Sequence, residues 1–157
     1  MMSVTAALQE LDQRLQALYD ALMALRTTIT EDRPLPDDHV LVGRMSDGVD
    51  DVLGDINEML ASVRRRQPTD CQPLASETAC RVLTTCQSSY NRALRRFWLE
   101  LAAHGQMSDL VRLGRERGGE WRPWSASVLV GMECCQQPLF EVNDALFHGW
   151  REIVDRH

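Results

Sequence analysis

Two carboxylate–histidine pairs have the one-turn spacing at which helical bundles bind metal ions. The first pair is Glu100 and His104, and the second is Asp144 and His148. If the last two long helices form a hairpin about residues 118–122, the pairs lie about 12 residues, or roughly 18 Å, apart along the bundle. They cannot then share an ion, and each pair alone is an ordinary contact along a helix. The sequence therefore predicts no metal site, and no motif indicates a cofactor.

Nucleophilic chemistry has little support from the five cysteines. They are Cys71, Cys80, Cys86, Cys134 and Cys135. The number is odd and no two have CxxC spacing, so free thiols are expected rather than a disulfide framework. Cys71 has the most reactive setting because it follows the Arg64–Arg66 cluster. No Cys/His or Ser/His/Asp grouping and no phosphate-binding glycine motif is evident, so we expect a protein that is not an enzyme.

An arginine-rich segment with two tryptophans is the strongest candidate for a binding surface. The candidate partner-binding residues are Arg92, Arg95, Arg96, Arg112, Arg115, Trp121 and Trp124. Arginine beside exposed aromatic rings is typical of single-strand nucleic-acid binding. The same two residue types are also enriched where proteins bind one another.

The charge distribution favours a protein partner over nucleic acid. The chain has a net charge of −6 and no lysine, whereas residues 61–122 hold 11 arginines and 6 acidic residues, a local excess of +5. Nucleic-acid-binding domains are usually basic overall. The arginines are expected to pair with acidic groups of the first two helices or with an acidic partner. We therefore interpret the chain as an adaptor or structural subunit of a larger protein assembly. The alternative is a nucleic-acid-associated subunit that uses the Arg92–Arg122 region.

The first element that must position these residues is a long helix. Apolar residues recur there at alternating spacings of three and four: Val4, Leu8, Leu11, Leu15, Leu18, Leu22, Leu25 and Ile29. This pattern predicts an amphipathic helix from Ser3 or Thr5 to about Thr30. Ala7, Tyr19 and Ala21 widen its apolar face, which favours a bundle over a two-stranded coiled coil.

Similar patterns predict the later helices. The second begins at Asp37 or Asp38, after the Glu31–Pro36 connector, and ends at Arg64–Arg66. Its glycines, Gly43, Gly48 and Gly54, mark either close packing or a loose segment. The third begins near Ala75 or Ser76 and breaks near His104–Gln106. A short helix then runs from Ser108 to Gly118–Gly119. The last helix begins near Pro123 and is kinked or split at Pro138.

These elements predict one all-α domain over residues 1–157. Its fold is an antiparallel up-down helical bundle of four long helical segments, with an extra short helix before the last. No apolar run is long enough to cross a membrane and no signal peptide is evident, so a cytoplasmic protein without membrane contact is expected. Association of identical copies through helix faces is left open.

Overall fold

The computed structural model of the protein describes residues 3–34, 40–65 and 75–155, and every regular element within them is helical. The helices are α1 (Val4–Thr30), α2 (Val40–Arg65), α3 (Ser76–Arg96), α4 (His104–Arg117) and α5 (Trp121–Asp155). A π-helical turn, Phe97–Leu101, continues α3. The predicted all-α class, with four long helices and a short one before the last, is confirmed.

The four long helices form an antiparallel up-down bundle. α1 and α3 each pack against both α2 and α5, whereas α4 packs against α5. The direction of α1 against α5 follows from two contacts at opposite ends: Glu10 lies beside His148, and Thr28 accepts a hydrogen bond from Trp124. α5 therefore has α1, α3 and α4 as neighbours.

The core contains the apolar lines that the sequence predicts. All eight apolar residues of the α1 line are at most 3% exposed. Ser3 caps this helix by accepting a hydrogen bond from the Ala6 N–H at 3.0 Å. The predicted caps Asp37 and Asp38 lie outside the described residues.

Gly48 of α2 allows the π-helical turn to approach closely. A Cβ on Gly48 would lie 3.2 Å from both the Glu100 Cβ and the Leu101 Cδ2, whereas one on Gly43 or Gly54 would meet nothing within 4 Å. Of the three glycines of α2, only Gly48 therefore marks close packing, and its lack of a side chain gives the turn room against α2.

The helix boundaries after α3 differ from those predicted. The break falls after the π-helical turn, where the Ala102 N–H donates to the Phe97 carbonyl, and α4 begins at His104 rather than Ser108. Gly118 and Gly119 end α4 with positive φ angles of 58° and 51°, and the sequence predicts the end of the helix at this pair of glycines.

Of the kink or split predicted at Pro138, the split is wrong, because α5 runs as one helix from Trp121 to Asp155. Packing of the turn that follows Pro138 holds the helix together at this point. Leu139 and Val142 are buried, and the Tyr90 hydroxyl of α3 donates to the Leu139 carbonyl at 2.9 Å. These tertiary contacts offset the loss of one backbone donor at proline.

Candidate protein-interaction surface

Arg92 and Arg96 point toward α2 and hold a buried carboxylate between them. The Asp55 side chain is 4% exposed, and its oxygens lie 3.1 Å from Arg92 Nε and 3.2 Å from Arg96 Nη1. Arg92 also contacts Glu58 at 2.7 Å. This is the internal pairing with the second helix that the charge distribution suggested. Both guanidinium groups are therefore already engaged within the fold.

The remaining candidate arginines occupy separate surfaces. Arg112 forms an ion pair with Asp109 one turn earlier in α4. Arg95 is exposed, one helical turn before Trp98, and makes no ion pair with any described residue. Arg115 lies on α4 beside α5. The structure thus divides the five predicted arginines among four environments, with only Arg92 and Arg96 sharing one.

The surface position expected for Trp121 and Trp124 is wrong. Their side chains are 7% and 4% exposed, and their rings pack edge to face with centroids 5.4 Å apart. The Trp124 indole donates to the Thr28 carbonyl at 2.9 Å, which fixes it against the end of α1. Arg117 covers the Trp121 ring at 4.9 Å. Both rings are part of the packing between helices and are not available for stacking on bases.

The two carboxylate–histidine pairs face different neighbours. His148 Nδ1 lies 3.2 Å from Glu10 of α1, whereas Asp144 is exposed on α5. Burial raises the pKa of Glu100, and the nearby Asp51 raises it further. Across the described ranges, no group of three or more His, Cys, Asp or Glu residues could hold a metal ion. The side chain of His104 is not among those that the structure describes.

Two of the cysteines are buried as neutral thiols. Burial raises the pKa of Cys86 and of Cys135 to about 12. Cys134 is exposed and Cys80 is partly buried. Because the thiolate is the nucleophile, Cys86 and Cys135 are unreactive in the folded protein. Cys71 lies outside the described residues.

A groove between α4 and α5 is the surface feature that sequence reasoning missed. One cavity of about 250 Å³ and another of about 370 Å³ follow each other along α5 and share Leu129 in their walls. We call their combined surface the α4–α5 groove. Its principal lining residues are Trp98, Met107, Val111, Arg115, Arg122, Leu129 and Val130. Apolar side chains form most of its length, Arg115 and Arg122 lie at one end, and Glu133 lies toward the other.

Large apolar side chains in and around this groove remain accessible. Trp98 is 38% exposed, Met107 is 38%, Val111 is 42% and Val130 is 58%. The sequence contained one usable signal: Val130 falls between the core positions of α5 and is still apolar. The sequence pattern does not reveal the contribution of Trp98 and Met107, because these residues come to lie beside α5 only through the π-helical turn and the packing of α4.

A second row of exposed residues runs along α5 opposite its buried face. It keeps the alternating spacing of three and four, and its members are Ala126, Val130, Glu133, Gln137, Phe140, Asp144, Phe147, Arg151 and Val154. We call its last five residues, from Phe140 to Val154, the outer stripe. Phe140 is 48% exposed, Phe147 is 62% and Val154 is 68%. The outer stripe lies beyond the part of α5 that lines the α4–α5 groove.

Comparison of the chain with protein-family models, curated proteins and solved structures finds no match. Within the described helices, none combines the length and the apolar character needed to cross a bilayer. The function is therefore inferred from the surface itself.

Proposed function

We propose that this protein is a non-enzymatic helical subunit that binds a protein partner through the α4–α5 groove. The observation that carries the proposal is the exposure of Trp98, Met107 and Val130 around the apolar cavity of about 370 Å³ in this groove. Aromatic and methionine side chains that line a groove are typical of surfaces that receive a segment of another protein. Isolated exposed apolar residues are common, but a group around a groove suggests a binding site.

The chemistry of the groove favours an amphipathic helix with an acidic group at the arginine end as its occupant. Arg115 and Arg122 lie at one end, and neither forms an ion pair with a described residue. An acidic group on the partner would supply the missing counter-charge. The lining of α5 runs from Arg122 to Gln136, a length of roughly 21 Å. This length matches about four helical turns, with apolar side chains spaced to face the groove.

The nucleic-acid alternative has less support than the protein partner. Arg92, Arg96 and Arg112 already have carboxylate neighbours within the fold. Trp121 and Trp124 are buried, so the rings that would stack on a single strand are not accessible. We keep nucleic acid as an outcome of the test.

Site-specific crosslinking in the cells that naturally make this protein tests the proposal. A photoreactive phenylalanine analogue placed at Met107 should crosslink a protein, and the same analogue at Glu77, an exposed position on α3, should not. Lysates are divided and treated with or without nuclease. A crosslinked product that disappears with nuclease would support the nucleic-acid alternative. Absence of any product at Met107, or equal products at both positions, would contradict the proposal.

The crosslinked protein then serves as the probe for a quantitative measurement. Its affinity should fall by at least about tenfold with Val130→Glu and with Arg115→Glu, because each change opposes the groove's apolar or cationic character. Arg81→Glu, at an exposed position on α3, is the matched control and should leave the affinity unchanged. Circular dichroism confirms that each variant is folded.

A further inference from the structure

The outer stripe of α5 is a second apolar surface, separate from the α4–α5 groove. Phe140, Phe147 and Val154 follow one another at intervals of seven residues, or roughly 10.5 Å along the helix. The opposite face of the same segment is fully used in the core, where Val142 and Leu146 are buried. This part of α5 therefore has apolar residues on two faces, and only one face is covered by the described helices.

The two charged residues of the outer stripe distinguish the ways in which a second copy could bind. In a parallel arrangement, Asp144 and Arg151 would each face their own counterparts, and like charges would meet. In an antiparallel arrangement centred between Asn143 and Asp144, the two Asp144 carboxylates would again be neighbours. An antiparallel arrangement centred on Phe147 brings Asp144 beside Arg151 of the second copy, and Phe140 beside Val154 of the second copy. Only this last alignment matches both the apolar and the charged positions.

We propose that the chain forms a two-fold symmetric homodimer through the outer stripe, with its axis at Phe147. The interface is isologous, so each of its contacts away from the axis occurs twice. Arg151 is available for this role because its contact within the chain is loose: its Nε lies 3.8 Å from Asp155, and both side chains are at least half exposed. The overlap extends from about residue 139 to the end of α5, and Val130 lies outside it.

The size of the stripe makes this a weak dimer. The exposed parts of Phe140, Phe147 and Val154 in two copies amount to roughly 600 Å², about half of what the smallest stable interfaces bury in total. Polar neighbours such as Gln137 and Asn143 enlarge the contact. We expect an equilibrium between monomer and dimer in the micromolar range, which cellular concentration can shift.

Charge exchange across the interface is the decisive test. Sedimentation velocity of the full chain, over a micromolar concentration series, should show association. Asp144→Arg and Arg151→Asp should each weaken it by at least about tenfold, because each change places like charges together twice. The double variant Asp144→Arg/Arg151→Asp should restore it, because the opposite charges meet again. A chain that stays monomeric throughout, or a double variant no stronger than the singles, would overturn the proposal.

A second pair of variants separates this surface from the α4–α5 groove. Phe147→Arg should abolish association, and Val130→Arg, an exposed apolar position of the same helix, should leave it unchanged. Association that survives Phe147→Arg would show that copies meet elsewhere. Because partner binding depends on Val130 and self-association on Phe147, failure of either proposal is recognised independently of the other. Circular dichroism confirms the fold of both variants.

Discussion

Replacing Gly114 with alanine should destabilise the protein, although alanine is the better helix former. A Cβ at this position of α4 would lie 2.8 Å from the Ser125 Oγ, 2.9 Å from the Ser125 Cβ and 3.4 Å from the Arg122 Cα. The helix propensity gained is about 1 kcal/mol. Overpacking of a close helix contact costs about 1–3 kcal/mol. The net change should be about 0–2 kcal/mol of lost stability, because α4 must move away from α5.

Gly54→Ala is the matched control. Gly54 lies in α2, and a Cβ there would meet nothing within 4 Å. The same propensity gain then acts alone, so this variant should be about 1 kcal/mol more stable than the parent. The difference between the two variants, about 1–3 kcal/mol, isolates the cost of the contact with Ser125.

Urea denaturation followed by tryptophan fluorescence measures both values, and a double variant checks their cause. Ser125→Gly removes both atoms that a Cβ on residue 114 would approach most closely. The Ser125 hydroxyl is buried without a hydrogen-bond partner in the described structure, so its removal forfeits no hydrogen bond there. Gly114→Ala should therefore be less costly in the Ser125→Gly background. If Gly114→Ala proves as stabilising as Gly54→Ala, the close approach of α4 to α5 is refuted.

Three further predictions concern the core, one carboxyl group and the thiols. Leu15→Ala should cost about 2–5 kcal/mol in urea denaturation, because Leu15 is fully buried; an unchanged midpoint would contradict its packing. Glu100→Gln should stabilise the protein at pH 7. Burial raises the pKa of Glu100 above its ordinary 4.5, so ionisation costs stability as pH rises through the raised value. At a pH below 4.5, the variant and the parent should be equally stable in urea denaturation. A variant that is still more stable there would contradict this explanation. In a Cys71→Ser background, a thiol reagent at neutral pH should label Cys134 promptly, and Cys86 only after unfolding.

The sequence predicts the interior of this protein better than its surface. The α1 line is recognisable because burial repeats with the period of the helix, so the eight positions are predicted without knowledge of their neighbours. The same reasoning predicts a kink or a split at Pro138, and the split is wrong because tertiary packing, including the hydrogen bond from Tyr90, opposes the intrinsic tendency to break. It is also wrong for Trp121 and Trp124, because the docking of α5 against α1 and α4 buries them. In each of these cases the outcome depends on packing between helices, which the local sequence pattern does not reveal.

The candidate surface was only partly accessible to sequence reasoning for the same reason. The sequence predicts Arg115 as a contact residue because arginine is frequent at interfaces, but its place at the end of an apolar groove depends on the packing of α4 against α5. Trp98, Met107 and Val130 come from three elements, and they meet only because the π-helical turn ends α3 before α4 begins. The outer stripe was visible in principle, since Phe140, Phe147 and Val154 keep heptad spacing.

The position of α1 between α2 and α5 has a consequence for synthesis on the ribosome. Among the described helices, α1 makes its most extensive contact with α5, which leaves the exit tunnel after α1 to α4, so α1 is not fully enclosed until α5 has been made. α2 can shelter one side of the leucine-rich face early, but the other side stays open until α5 has emerged. Nascent chains halted within α5 would therefore present exposed leucines to chaperones and to each other.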